Sequence, residues 1–183
     1  EHVKLGNPAL ARLLRLITYA LEHCEDVVIL LRFKKLKFMS GGNFELDVSN
    51  VLAQIEHIFG KQFASKIRFS TVHAFKGKEA DAVILWDSNE SVYPFVHNNW
   101  IFDSFFGVNR EAIVREERRL FYVGVTRAKS MLIVNSDVYP TDFLRSTQLT
   151  KTPTWPETTI SAKTSSERSF LRIFLNGWDE EEH

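Results

Sequence analysis

Two segments near the start of the chain repeat apolar residues at the spacing of an amphipathic helix. The first follows Asn7-Pro8, a capping side chain and then a proline, which is a typical helix start. Its apolar positions are Leu10, Leu13, Leu14, Ile17, Ala20 and Leu21. The second repeats Val48, Val51, Leu52, Ile55, Ile58 and Phe59, and Gly60 follows it as a stop signal. These two segments therefore predict helices.

Short segments that read as strands lie between and after the helical segments. They cover residues 27–31, 67–72, 82–86 and 131–135, and a further helix is predicted over 115–128. A turn is predicted at Gly41-Gly42-Asn43, and residues 87–109 are loop-rich. Strands that alternate with helices indicate a parallel sheet with helices on both faces. The predicted fold class is therefore α/β.

The last part of the chain has a different composition. Residues 150–166 are rich in Thr, Ser and Pro, which is typical of a linker. Residues 164–167 read TSSE, a capping box that predicts a short helix ending near Gly177, with Phe170, Leu171 and Phe174 as its apolar residues. We therefore predict one domain over 1–149, followed over 150–183 by a linker and a short C-terminal helix or tail.

Composition limits the classes of function. The 183 residues, 44% hydrophobic and 25% charged, suit one globular domain. The formal net charge is zero, so contact with a nucleic acid would be local or part of something larger. The single cysteine excludes an internal disulfide and fits a cytoplasmic location, and no apolar run is long enough to predict a membrane partner. Since the chain begins at Glu1 rather than Met, we expect a piece of a longer protein.

Residues 70–80 read STVHAFKGKEA and form the first segment with candidate chemistry. Ligands bind at the carboxyl ends of strands in open α/β sheets, so the polar residues after the predicted strand are candidate contacts. Thr71 and His73 could donate hydrogen bonds to a backbone phosphate, and Lys76 adds a positive charge. The alternative is a solvated loop with a lone histidine, which is the better interpretation of His73 taken alone.

Residues 118–129 read RRLFYVGVTRAK and form the second such segment. Arg118 and Arg119 are expected to pair with the nearby glutamates at the surface. Arg127 follows the predicted helix end, and its planar, permanently charged group suits a phosphate. Arg32 directly follows the 27–31 run, and taken alone it is an ordinary surface residue.

These segments resemble motifs V (70–80) and VI (118–129) of the superfamily 1 DNA helicases of the UvrD/Rep type. Residues 27–32 resemble motif IV, and the order IV, V, VI is that of the family. Thr71 follows Arg32 by only 39 positions, an interval too short for the accessory domain of UvrD and Rep. Lys78 and Ala80 replace a leucine and an aromatic residue usual in UvrD, which brings the chain closest to the helicase IV branch.

The resemblance implies the second RecA-like motor domain of such an enzyme, and it implies the roles of individual residues. Arg127 and Arg32 would approach the phosphates of ATP as catalytic residues, and Glu79 and Gly77 would contact the nucleotide, Glu79 at the ribose. The single-stranded DNA would be bound by Thr71, His73 and Lys76.

A phosphate-binding loop of the form G-x-x-x-x-G-K-[ST] is missing from the sequence. ATP and Mg²⁺ would therefore be held mainly by an N-terminal RecA-like domain of the same protein, and this chain alone would bind no cofactor or metal and hydrolyse no ATP. A second interpretation remains open, a non-catalytic module that binds nucleic acid or protein. A third, a helicase–nuclease, would require a nuclease domain after His183.

Overall fold

A computed structural model describes residues 8–34, 36–38, 44–46, 48–97, 109–136, 139–144, 150–151 and 171–176. These residues form a six-stranded parallel sheet, a two-stranded antiparallel hairpin and several helices. The predicted α/β class with a RecA-like parallel sheet is confirmed. The predicted turn at Gly41-Gly42-Asn43 lies outside the described residues.

The six-stranded sheet has the order β4-β1-β5-β6-β8-β7. All of its pairings are parallel. Its strands are β1 (Val27–Leu31), β4 (Ile67–Thr71), β5 (Ala80–Leu85), β6 (Ala128–Ser136), β7 (Thr150–Lys151) and β8 (Leu171–Asn176). Every residue of β1 is buried, as expected for a central parallel strand covered on both faces. The hairpin joins β2 (Leu36–Phe38) to β3 (Phe44–Leu46).

Within the described residues, four α-helices accompany the sheet: α1 (Pro8–His23), α2 (Val48–Phe59), α3 (Lys61–Ala64) and α4 (Arg110–Val125). The prediction that α4 begins at residue 115 is wrong by five residues. Asn109 caps the helix, since its side chain accepts a hydrogen bond from the Ala112 N–H at 2.7 Å. The first turn is exposed and therefore lacks the apolar spacing on which the prediction depended. None of the described helices is long and apolar enough to cross a membrane.

The core has two apolar layers, one on each face of the sheet. Residues of α1 and α2, among them Leu13, Ile17 and Ile55, pack against one face. Residues of α4 and of the connection between β4 and β5, among them Phe121 and Phe75, pack against the other. The second layer is the one that carries the motif V and motif VI segments.

The predicted C-terminal helix is wrong, because Leu171–Asn176 is the strand β8. It pairs in parallel with β6 over six residues, from Leu171 opposite Met131 to Asn176 opposite Ser136. The apolar residues Leu171, Ile173 and Leu175 alternate with other residues, which is the spacing of a strand. Pairing with this strand also satisfies backbone N–H and C=O groups of β6, which a helix at the same place would leave without hydrogen bonds. The division into a domain over 1–149 and a separate tail stays a prediction.

Candidate functional site

The motif V segment begins where β4 ends and continues until β5 begins. Thr71 pairs with Leu31, at the carboxyl ends of β4 and β1. Glu79 directly precedes β5, and β5 runs parallel to β1. The segment therefore crosses from the carboxyl edge of the sheet to its amino edge. The predicted polar residues do not gather at one strand exit, since Thr71 and Glu79 lie at opposite edges.

Local hydrogen bonds and two buried side chains fix the path of this segment. The Thr71 hydroxyl accepts from the Ala74 N–H at 3.2 Å, and the Thr71 carbonyl accepts from the Phe75 N–H at 3.0 Å. Val72 and Phe75 are buried in the second apolar layer. As a result, the polar residues between and after them face solvent: His73, Lys76, Gly77, Lys78 and Glu79 are all exposed.

Gly77 has a φ of +80°, in the left-handed region that side chains other than glycine rarely adopt. A Cβ added there would meet no atom within 4 Å, so the backbone conformation rather than space requires the glycine. The glycine thus lets the chain turn toward β5 and present Glu79 at the amino edge.

Arg127 lies just beyond the C-terminal end of α4, where its guanidinium contacts two parts of the chain. Its Nε donates to the Val123 carbonyl at 3.0 Å, and its Nη1 donates to the Lys78 carbonyl at 3.4 Å. The Arg127 carbonyl in turn accepts from the Ala80 N–H at 3.1 Å. The half-buried Arg127 therefore joins the motif VI segment to the end of motif V. The two residues that it contacts there, Lys78 and Ala80, lie immediately before and after Glu79.

Gly124 allows α4 to approach the sheet closely. A Cβ at this position would lie 3.1 Å from the Leu85 Cδ1 atom and 3.5 Å from both Val72 Cγ atoms. Thr126 then ends the helix, since its hydroxyl donates to the carbonyls of Tyr122 and Val123 at 3.0 and 3.1 Å. The small residue and the cap together place Arg127 directly after the helix.

Arg32 follows the carboxyl end of β1, and its side chain contacts a glutamate of α4. Its Nε and Nη2 donate to the two Glu117 carboxylate oxygens at 3.1 and 2.7 Å. The side chains are 13% and 11% exposed, so this bidentate pair is largely buried. The guanidinium carbon also lies 5.0 Å from the centre of the Phe33 ring and 5.7 Å from that of Phe95.

The sequence interpretation missed Glu117. We expected it at the surface, paired with Arg118 or Arg119, but it binds Arg32. Arg119 does pair with a glutamate, Glu116, at 3.1 Å, as predicted. Arg118 lies over the Phe143 ring, 5.3 Å from its centre, and the expected pair with a glutamate is wrong for this residue. The sequence did indicate that Glu117 is buried, because it lies on the same face of the helix as Phe121 and Gly124, at the spacing i, i+4, i+7.

The two predicted catalytic arginines belong to opposite edges of the sheet. Arg32 follows the carboxyl end of β1, and Arg127 precedes the amino end of β6. Helix α4 reaches both, since it holds Arg32 through Glu117 and ends next to Arg127. About 12 Å of helix separates Glu117 from Val125.

Tyr93 forms an apolar wall near the Arg32–Glu117 pair. It is fully buried, and its ring packs edge-on against Phe121 with 5.1 Å between centroids. Burial raises the pKa of Tyr93, and the neighbouring Arg32 opposes this only in part. The carboxylates of Glu117 and Asp87 raise the pKa further, so the phenol stays neutral beside the charged pair.

The groups at the amino edge suit a nucleotide's phosphates and sugar. The guanidinium of Arg127 is a phosphate-binding group, and the exposed Glu79 carboxylate can accept from a sugar hydroxyl. The described residues contain no group of three His, Cys, Asp or Glu side chains that could hold a metal ion.

The chain is also similar to known proteins. A family model described as UvrD-like helicase C-terminal domain matches residues 43–138, slightly over half of the chain. The match contains Thr71, His73, Glu79 and Arg127, whereas Arg32 lies outside it.

Two similar relatives are each named "Probable DNA helicase II homolog". The one from Mycoplasma pneumoniae is 37% identical over 86 residues, which is 43% of this chain and 11% of that protein. The one from Mycoplasma genitalium is 30% identical over 125 residues, which is 62% of this chain and 17% of that protein. The chain thus spans only a small part of the relatives that it matches. A place in the helicase IV branch stays a prediction.

Proposed function

The chain belongs to the family of UvrD-like helicase C-terminal domains, and from this premise we propose that it is the second motor domain of an ATP-dependent DNA helicase. In this proposal an N-terminal RecA-like domain of the same protein supplies the phosphate-binding loop and holds ATP and Mg²⁺. The present domain supplies Arg127 and Arg32 to the phosphates and Glu79 and Gly77 to the rest of the nucleotide. It binds single-stranded DNA through Thr71, His73 and Lys76.

The observation that carries the proposal is the contact of Arg127 with the motif V segment. The 3.4 Å hydrogen bond to the Lys78 carbonyl holds the guanidinium beside the residue that precedes Glu79. A permanent cation and an exposed carboxylate thus share the amino edge of the sheet. Both groups suit ATP: the phosphates are bound by hydrogen-bond donors such as a guanidinium, and a ribose hydroxyl can donate to an acceptor such as a carboxylate.

At the other end of the motif V segment, the polar groups suit a nucleic-acid backbone. The Thr71 hydroxyl accepts from the Ala74 N–H, which leaves its hydrogen available to donate to a phosphate. His73 and Lys76 are exposed on the same loop. Such contacts fix the strand without reading its sequence, as a translocating enzyme requires.

The path of the segment supports a coupling between the two ligands. Thr71 at the carboxyl edge and Glu79 at the amino edge are joined by seven residues, two of which, Val72 and Phe75, anchor the segment in the core. We propose that closure of the domains on ATP moves this segment and with it the bound DNA. The movement would be transmitted through the packed side chains rather than through a flexible loop.

The proposal is tested with the full-length protein that carries this domain. We expect ATP hydrolysis that is strongly stimulated by single-stranded DNA, and ATP-dependent separation of a duplex that has a single-stranded tail. A protein that binds DNA or a protein partner but hydrolyses no ATP under any of these conditions would contradict the proposal. It would favour the non-catalytic binding module instead.

A further inference from the structure

We propose that Glu117 is a positioning residue for Arg32 during ATP hydrolysis. This inference rests on the proposed function, because it assigns Arg32 to the nucleotide phosphates. Glu117 would not touch the nucleotide. It would act by holding the Arg32 guanidinium in one orientation, from the helix that ends just before Arg127.

The placement of Glu117 indicates a role beyond stability. It lies on the core-facing stripe of α4, 8% exposed, with Phe121 on the next turn. A buried carboxylate is unfavourable unless it is fully paired, and an apolar residue of similar size usually serves stability as well or better. Glu117 is paired, since besides Arg32 it accepts from the Phe95 N–H at 3.2 Å. Three donors thus fix both carboxylate oxygens.

The geometry of the pair leaves part of the arginine available. Glu117 occupies the edge of the guanidinium formed by Nε and Nη2, which uses two of its five N–H groups. Among the described residues Nη1 has no acceptor, so the second edge, formed by Nη1 and Nη2, can bind another anion. A phosphate bound there would receive two parallel hydrogen bonds, the geometry in which arginine binds oxyanions most strongly.

The neighbours of Arg32 restrict its movement further. The rings of Phe33 and Phe95 lie 5.0 and 5.7 Å from the guanidinium carbon, and they contact each other edge-on at 4.9 Å. Phe95 also donates its backbone N–H to Glu117, so one residue contacts both members of the pair. The Arg32 guanidinium is therefore held along one edge by Glu117 and beside its face by the two rings. These contacts keep the long side chain in one orientation before the nucleotide binds.

The test compares variants of the full-length protein in DNA-stimulated ATP hydrolysis. Arg32→Ala should lower kcat by about 10³-fold or more, as for other arginines that contact a transferring phosphoryl group. Glu117→Gln is almost the same size, but it removes the charge and turns an N–H group toward the arginine. We expect it to lower kcat by about 10²-fold, the typical effect of a misplacement of about 1 Å, with a much smaller change in KM for ATP.

Two further variants separate positioning from a general loss of structure. Arg32→Ala combined with Glu117→Gln should give the kcat of Arg32→Ala alone, because a positioning residue has no effect once its target is gone. Glu116→Gln is the matched control, since Glu116 is the neighbouring residue of α4, is exposed, and pairs with Arg119. It should hydrolyse ATP like the unaltered protein.

Different outcomes overturn different statements. Normal kcat in Glu117→Gln, with a strong defect in Arg32→Ala, would show that Glu117 is only a structural partner. A raised kcat would show that it competes with the nucleotide, and a further loss in the double variant would show general loosening. All three contradict positioning while the proposed function stands. Normal turnover in Arg32→Ala would remove the assignment of Arg32 and this inference together.

A second substitution covers the case in which Glu117→Gln does not fold. Glu117→Asp keeps the charge but is one methylene shorter, so it cannot reach both guanidinium nitrogens. We expect a smaller decrease in kcat than for Arg32→Ala, and normal kcat in this variant would equally contradict the proposal. Thermal melting of each variant identifies those that fold.

Discussion

Replacement of Arg127 by alanine in the full-length protein should nearly abolish DNA-stimulated ATP hydrolysis and leave DNA affinity largely intact. The change removes a guanidinium that lies beside Glu79 at the amino edge of the sheet. Phosphoryl transfer spreads negative charge over the phosphate oxygens, and a guanidinium inserted from a neighbouring domain stabilises this charge in the transition state. The residues that we assign to DNA remain in place.

The size of the effect distinguishes a catalytic from a structural role. Within the domain Arg127 donates to the Val123 carbonyl, the Lys78 carbonyl and the Thr126 hydroxyl. Each such hydrogen bond contributes about 0.5–1.5 kcal/mol net. Because the side chain is half-buried and water can replace part of these bonds, removing the whole side chain should reduce the free energy of unfolding by about 1–3 kcal/mol. An arginine finger contributes about 10³-fold or more in rate, which corresponds to about 4 kcal/mol of transition-state stabilisation.

The assay measures turnover at saturating ATP and single-stranded DNA, with DNA affinity determined separately by fluorescence anisotropy. Arg127→Lys should recover little activity, since a point charge cannot reproduce the bidentate fork. Arg119→Ala is the matched control, because Arg119 lies on the same helix, is exposed, and only pairs with Glu116. It should leave both turnover and DNA affinity unchanged.

Near-normal turnover in Arg127→Ala would refute this reasoning. Arg127 would then serve only to join the end of α4 to the motif V segment. A parallel loss of DNA affinity and turnover would also contradict it, since it would mean that the change acts by displacing the DNA-contacting loop.

Three further predictions concern the other parts of the domain. The isolated chain should release no phosphate from ATP, with or without DNA, because it lacks a phosphate-binding loop; turnover that Arg127→Ala abolishes in the isolated chain would contradict this. In the full-length protein, Thr71→Ala with His73→Ala should weaken DNA affinity and DNA stimulation more than ATP hydrolysis without DNA; unchanged affinity in an anisotropy titration would remove both residues from the DNA site. Deletion of everything after Leu149 should lower the melting temperature by about 10 °C, because it removes both β8 and β7 and leaves β6 as the edge strand; an unchanged melting temperature would show that these strands contribute nothing.

Much of the sheet could be predicted because its central strands are buried on both faces. The strands β1, β5 and β6 each contain an uninterrupted apolar run, at 27–31, 82–85 and 131–134, so their position required only the local sequence. The strand β8 could not be predicted in this way. A capping box and three apolar residues near one another favour a helix locally, whereas the strand forms because β6 offers a parallel partner more than thirty residues earlier in the chain.

The candidate site shows the same division between local and distant information. The motif V and motif VI segments identified Thr71, His73, Glu79 and Arg127 as candidates from residue order alone. The partner of Arg32 could not be found in this way, because Glu117 is 85 positions away and the pair forms only when α4 lies across the end of β1. A charged residue on the apolar stripe of a helix was the one local sign of it.

The contacts of α4 determine how this domain can transmit force. The helix is fastened to the end of β1 through the Arg32–Glu117 pair, lies against Leu85 and Val72 at Gly124, and is tied to the end of motif V through Arg127. These three attachments lie along its C-terminal half, from Glu117 to Arg127, so this half of the helix cannot slide or tilt without breaking at least one of them. Strain applied at the amino edge of the sheet is therefore not absorbed as internal deformation of the domain. If this edge binds a nucleotide as we propose, the domain should move as a stiff lever, and the bending of each proposed ATP cycle should occur in the connections to its neighbours.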